Sequence, residues 1–200
     1  MLSMGHHLQR NISEGQLFGL ENIYDHYLSE GAADRMCAYL KERWEKPGSR
    51  YHVMKEMFAC LHKLEVLSAD WPKKVRHYEK VLFGGGRKQY EALHQYRMPD
   101  KIAEQLLSYF IYVYFAGAVY DGMPYSKVKL AVISTMLIED MVCAKAAEKD
   151  QLSFEAIADA AHSYAREVEH SDLNLQCLST MFRHQKCFHI GRLCGALLEW

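Results

Sequence analysis

Proline is scarce in this chain of 200 residues, occurring only as Pro47, Pro72, Pro99 and Pro124. Each falls where a helix is expected to begin or end, so no long helical pattern is interrupted from within. Alternating apolar and polar stretches are missing, which excludes a fold built on sheets. A charge excess is missing too: 24 Lys and Arg stand against 25 Asp and Glu. That balance argues against a nucleic-acid partner, which would ask for a basic surface. The opening residues, MLSMGHHLQR, carry no long apolar core. No secretory leader is therefore expected, and a cytoplasmic location is inferred. No internal repeat or low-complexity tract is evident. The six cysteines, Cys37, Cys60, Cys143, Cys177, Cys187 and Cys194, include no Cys-x-x-Cys pair. They read as reduced, mostly buried thiols. His184 and His189 flank Cys187, but that spacing matches no zinc pattern, and no metal is predicted.

What the chain does have is helical periodicity. The stretch Glu104 to Tyr120, EQLLSYFIYVYFAGAVY, places Leu106, Leu107, Phe110, Ile111, Tyr114, Phe115, Ala118 and Val119 at helical spacing, without a charge between Gln105 and Tyr120. A helix apolar nearly all round is expected to be buried on most sides. This one is short and tyrosine-rich for a membrane span, which needs ~20 apolar residues, so no membrane association is predicted. A second apolar helix is expected over Lys127 to Ala147. The fold class that follows is all-α, an irregular multi-helix array of about eight to ten helices around this central apolar pair.

The remaining boundaries come from turn and capping residues. Residues 1–14 are expected to be a flexible N-terminus, and 15–200 a single helical domain that admits a subdivision near 84–100. Leu17, Leu20, Tyr24, Tyr27 and Leu28 give one apolar face, then Met36, Tyr39, Leu40 and Trp44 another, broken at Gly31. The turn EKPGS ends that segment. Tyr51 to Leu67 is the next helix. Asp70 and Pro72 start one that runs to about Phe83, and the Gly84–Gly85–Gly86 run ends it. A short helix from about Lys88 to Tyr96 follows. Gly122 suits a helix C-terminus and Pro124 a helix start. Ser153 and Ser171 or Asp172 read as N-caps, with a buried stripe of Phe154, Ile157, Ala158, Ala161, Tyr164, Ala165 and Val168 between them. A last helical segment spans Phe188 to Trp200.

Candidate chemistry is sparse. The glycine run fits neither the phosphate-loop nor the dinucleotide pattern, and reads as a connector. Arg166, Glu167, Glu169 and His170 crowd a helix end, where they suit either a solvated ion pair or a charged ligand. Tyr109, Tyr112 and Tyr120, with Asp121 after the turn, could form an aromatic wall and a carboxylate for a cation. They serve equally as core aromatics.

Three blocks, EQLLSYFIYVYFAGAVYDG, YSKVKLAVISTMLIEDMV and LSFEAIADAAHSYAREVEHSDLNL, resemble in order and spacing the C-terminal region of the flagellin lysine-N-methylase family. The resemblance is best from about Glu104 to Leu175. It implies methyl transfer from S-adenosylmethionine to protein lysine, with flagellin as the protein partner. The family's N-terminal cysteine cluster has no counterpart here, so the chain is expected not to act alone. By that reading Tyr120, Asp121, Glu169 and His170 are the catalytic candidates, and Tyr109, Tyr112 and Arg166 the ligand-binding ones. A homo-oligomer is compatible with the reading. The alternatives are a non-catalytic helical module that binds a partner or small ligand, and a regulator's ligand-binding domain. No helix-turn-helix reader supports the last of these.

Overall fold

The computed structural model describes residues 1–16, 18–44 and 49–199. Leu17, residues 45–48, where a turn is expected, and Trp200 lie outside the described residues, as do the side chains of Leu20, Trp44 and Ser49, so the expectations placed on them stand apart. Among the described residues every regular element is helical. In order these are α1 (Leu2–Ser13), α2 (Leu20–Leu28), α3 (Ala32–Trp44), α4 (Ser49–Leu61), α5 (Trp71–Phe83) and α6 (Gly86–Leu93). They continue with α7 (Asp100–Tyr114), α8 (Ala118–Asp121), α9 (Pro124–Lys149), α10 (Phe154–Tyr164), α11 (Asp172–His184) and α12 (Ile190–Leu198). Short 3-10 turns at His94–Tyr96, Phe115–Gly117 and Lys186–Phe188 link them, and a π-helical turn spans Ala165–Glu169.

The axis of the fold is α9. Every side chain from Val128 to Ala144 is buried. Its apolar residues are spread around the whole helix, so it must be covered on all sides. The cover comes from α1, α5, α7, α10 and α11. A second layer forms where α12 packs on α3 and α4. Pro124 opens α9, and Asp150, in the left-handed region at φ 51°, closes it. Gly122, at φ 65°, lets the chain reverse from α8 into α9 without a Cβ in the way.

The expected central pair is therefore one central helix and one peripheral helix. In the run 104–120 only Phe110 is buried, at 1% exposure, against the rings of Tyr114 and Tyr164. Leu106, Leu107, Ile111, Tyr114 and Phe115 pack on the core along one side. Tyr112, Val119 and Tyr120 stand in solvent, at 87%, 86% and 93% exposure. Two physical reasons explain the difference. The 3-10 turn at Phe115–Gly117 shifts the helical phase, so one face cannot stay inward throughout. Tyr112 and Tyr120 also carry hydroxyls that water can satisfy. The helical run Asp100–Asp121 is 22 residues, with an 18-residue stretch of mean hydropathy 1.3 of which 6% is buried, so it is long and apolar enough by length and composition to cross a membrane.

The N-terminal residues differ from expectation as well. Leu2–Ser13 is helical and lies along α9, with Gly5 allowing close approach to Val128. Phe154, expected in the buried stripe, is 73% exposed, while Ile157, Ala160 and Tyr164 face the core.

Candidate functional site

An apolar recess lies between α9 and four neighbouring helices. From α9 come Val132, Thr135, Met136 and Glu139, and from α7 come Asp100, Ala103, Glu104 and Leu107. Both sets follow the i, i+3, i+4, i+7 spacing that puts side chains on one helix face. Met36 and Leu40 of α3, Leu2 and Ser3 of α1, and Cys194, Leu197 and Leu198 of α12 close the pocket, with Arg97 at its edge. Its volume is about 490 Å³. That is the scale of a small-molecule site, apolar with few polar groups.

Those polar groups are anchored from behind. Arg50, in the first turn of α4, is 1% exposed and bonds Asp140 Oδ1 through Nη2 at 2.9 Å. The same nitrogen stands 3.6 Å from Glu139 Oε2. Tyr90 of α6 donates its hydroxyl to Asp140 Oδ2 at 2.8 Å. Glu199 accepts the backbone N–H of Arg50 at 2.6 Å. His94 stacks edge-on to Tyr90, with ring centres 4.9 Å apart.

Burial drives the electrostatics here. It would lower the pKa of Arg50, but Asp140, then Tyr90 and Glu139, outweigh it and raise the guanidinium further. Arg50 stays charged, while burial raises the carboxyl of Asp140, an effect that Arg50 and the Tyr90 hydroxyl oppose. Glu139 is pushed up to about 7 by burial, held back in part by Arg50 and raised again by Asp140. His94 is pushed down to about 4 by burial and by Arg50. A buried carboxyl that titrates near neutrality in the wall of an apolar pocket is a proton acceptor of the kind that acid–base chemistry uses.

The residues singled out from sequence occupy a different face. Tyr109 and Tyr114 both donate to Glu169 Oε2 at 3.0 Å, which joins the tyrosine group to the polar helix end. Burial, and then the bond to Glu169, raises the pKa of Tyr109. Tyr109 and Tyr112 flank a shallow hollow along α7. Tyr120 stands apart in solvent. Asp121 pairs with Lys127 at 2.7 Å and accepts the N–H of Met123 at 2.9 Å, so it secures the turn into α9. Arg166 bonds Ser68 at 3.1 Å and approaches Asp70 at 3.7 Å. His170 is exposed and closes the π-helical turn through its N–H to Ala165. Glu167, fully buried, accepts the N–H groups of Leu67 and Ser68 at 3.0 and 3.2 Å and so ties down that loop.

Sequence reasoning missed Arg50, Tyr90, Glu139 and Asp140. The available signal was the pair Glu139–Asp140 inside the otherwise apolar LAVISTMLIEDMVCA, since charges that fall on a buried helix need partners. Among the described residues no group of three or more His, Cys, Asp and Glu side chains could hold a metal ion.

The fold and the pocket define an all-α protein that holds a carboxylate-walled apolar recess against one central helix. The model of the FliB lysine N-methylase C-terminal domain matches residues 1–196, and the chain belongs to that family. No curated protein and no solved structure matches it.

Proposed function

We propose that the recess beside Glu139 receives the side chain of a protein lysine, and that the chain is the lysine-holding helical part of a lysine N-methylase. The observation that carries this reading is a carboxylate set in the wall of an apolar pocket of about 490 Å³. A lysine side chain has the matching shape: an apolar stem for Leu107, Val132, Met136 and Leu197, and an ammonium for Glu139 and Glu104. The family membership and the resemblance to flagellin lysine-N-methylases support lysine, and flagellin as its carrier.

A lysine amine must lose its proton before it can take a methyl group, and its usual pKa is ~10.4. Entry into the recess strips water from the ammonium and lowers that value. Glu139, poised near neutrality, then accepts the proton from Nζ onto a carboxylate oxygen. The amine is left neutral, with its lone pair available. Arg50, fixed by Asp140 at 2.9 Å, positions Glu139 and keeps its charge accessible.

S-adenosylmethionine, which the family implies, makes other demands. Its ribose, adenine edge and amino-acid carboxylate need several donors. The side-chain donors of the recess are few: Ser3, Thr135, which is committed to the carbonyl of Ala131 at 2.9 Å, and Arg97, which bonds Asp100 at 2.9 Å. The lining does not fit that molecule. The chain by itself is accordingly expected to bind lysine without turning it over.

Calorimetric titration of a lysine peptide against its norleucine counterpart tests the reading. Lysine should bind about tenfold tighter, the size of one charge-assisted contact. Glu139→Gln should erase the difference. Binding should strengthen as pH rises through about 7, where Glu139 ionises. Equal binding of both peptides, unaffected by Glu139→Gln, would favour the non-catalytic partner-binding module, whose surface would be the exposed Tyr112, Val119 and Tyr120. Turnover by this chain with labelled S-adenosylmethionine and flagellin would refute the inactive part of the proposal.

A further inference from the structure

A second hollow adjoins the lysine recess and has the opposite charge. The two share Ser3, Met36 and Leu40 as walls. The second holds about 290 Å³, and its polar lining is His6, His7 and Arg10 from α1 and Arg43 from α3, over the rings of Tyr27 and Tyr39. Among the described residues that line it, none is acidic. In α1, His6 and Arg10 are one turn apart, as are Ser3 and His7, so a single helix face presents these donors. In α3, Met36, Tyr39, Leu40 and Arg43 repeat that spacing, and the Arg43 guanidinium sits 5.9 Å from the Tyr39 ring centre. Burial lowers the pKa of His6, and so do Arg10, Lys129 and His7, which marks the field in this region as positive.

A positive, aromatic-floored hollow beside a pocket walled by carboxylates forms a two-part surface. A ligand that spans both must be cationic at one end and anionic at the other. Successive residues of an extended chain are ~3.3 Å apart, so neighbours of a bound lysine reach an adjoining hollow. We propose that this hollow takes the carboxylates of acidic residues flanking the bound lysine, so that the protein selects lysines in an acidic stretch of its substrate. The inference rests on the lysine reading of the first recess. Arginine offers a two-pronged fit to carboxylate, and the histidines and tyrosine hydroxyls supply further donors. The contacts are partly exposed, so the preference is modest and fades with salt.

Four peptides separate this inference from the reading it rests on: a lysine or norleucine centre, each with an Asp–Glu or an Ala–Ala flank. The wild-type chain should bind the acidic flank about fivefold tighter with either centre, as expected for a few partly exposed ion pairs. Arg10→Glu should remove or reverse that preference while preserving the difference between lysine and norleucine. Glu139→Gln should do the opposite. Equal binding of both flanks by the wild type overturns the flank proposal, and a surviving lysine–norleucine difference would show the first recess intact. A flank preference without any lysine preference overturns the lysine reading and leaves an acidic-peptide site. Full suppression of the flank effect by millimolar inorganic phosphate reassigns the hollow to a free anion and overturns the proposal.

Discussion

Arg50 and Asp140, 90 residues apart in the chain, meet at 2.9 Å between the first turn of α4 and the centre of α9. Both are 1% exposed. Removing one partner of such a pair strands the other charge away from water. Asp140→Ala is expected to destabilise by ~3–5 kcal/mol in urea denaturation. Tyr90→Phe, which leaves Asp140 short of one donor, should cost about 1–2 kcal/mol. The double replacement Arg50→Met with Asp140→Leu should recover most of the loss, because an apolar pair needs no partner. Additive losses in the double variant would show that the pair is not coupled as described.

Glu139 and His94 give stability opposite slopes with pH. Unfolded, Glu139 titrates near its usual ~4.3. Folded, it holds its proton until about 7. Between those values the native state binds the extra proton, so this carboxyl costs stability as pH rises, and the full cost stands above about 7. His94 is the reverse case, neutral in the fold down to about 4. Its contribution is present above ~6.5 and is lost as pH falls toward the folded value. Arg50, Asp140, Arg97 and Asp100 also act on Glu139, and Arg50, Glu91 and Arg97 on His94. Glu139→Gln should therefore be more stable than the parent at about pH 8, by on the order of 1–3 kcal/mol, and nearly equal to it at about pH 4.5. Denaturant midpoints across the range check this. A difference independent of pH would remove Glu139 as the titrating group.

Asn174 carries a separate prediction at the other end of the fold. Its side chain accepts the N–H of Glu65 at 2.7 Å and donates to the carbonyls of Glu65 and Glu167 at 2.9 and 2.6 Å. Together with Glu167 it fastens the loop after α4 to the π-helical turn. Asn174→Ala should destabilise by ~2–4 kcal/mol, since several buried polar groups lose their partner. Asn174→Asp should be no better, because it faces two carbonyls without a donor. Amide exchange at Leu67 and Ser68 should accelerate in both, and unchanged protection would count against the anchoring role.

Local chemistry in the sequence carried much of this architecture. Gly31 and Gly122 mark boundaries because their positive φ is open to glycine and strained for other residues, and Pro124 because its fixed φ suits the first turn of a helix. Ser153 and Ser171 cap α10 and α11 through bonds at 3.2 Å to the N–H groups of Ala156 and Asn174. The placement of α7 was not legible. Periodicity says that a face is apolar, not whether protein or water meets it, and tyrosine satisfies both. The recess was hidden for another reason. Arg50, Tyr90 and Asp140 are far apart in sequence, and only the packing of α4 and α6 on α9 brings them together.

The position of α7 yields the last prediction. Phe110 is its single buried side chain, in ring contact with Tyr114 and Tyr164. Truncation there opens a cavity that the surrounding rings cannot fill, so Phe110→Ala should destabilise by ~3–5 kcal/mol. Tyr112 and Tyr120, two of the largest apolar side chains of the same run, stand 87% and 93% exposed. Replacing either by serine removes surface that already meets water, so the change should stay within about 0.5 kcal/mol. The contrast is sharper than either value alone. A helix buried on most sides would lose several kcal/mol at all three positions, whereas a peripheral one loses it only at Phe110. Urea denaturation of the three variants decides between these arrangements. A large loss at Tyr112 would return α7 to the interior, and a loss under about 1 kcal/mol at Phe110 would mean that the inward face of α7 lies elsewhere.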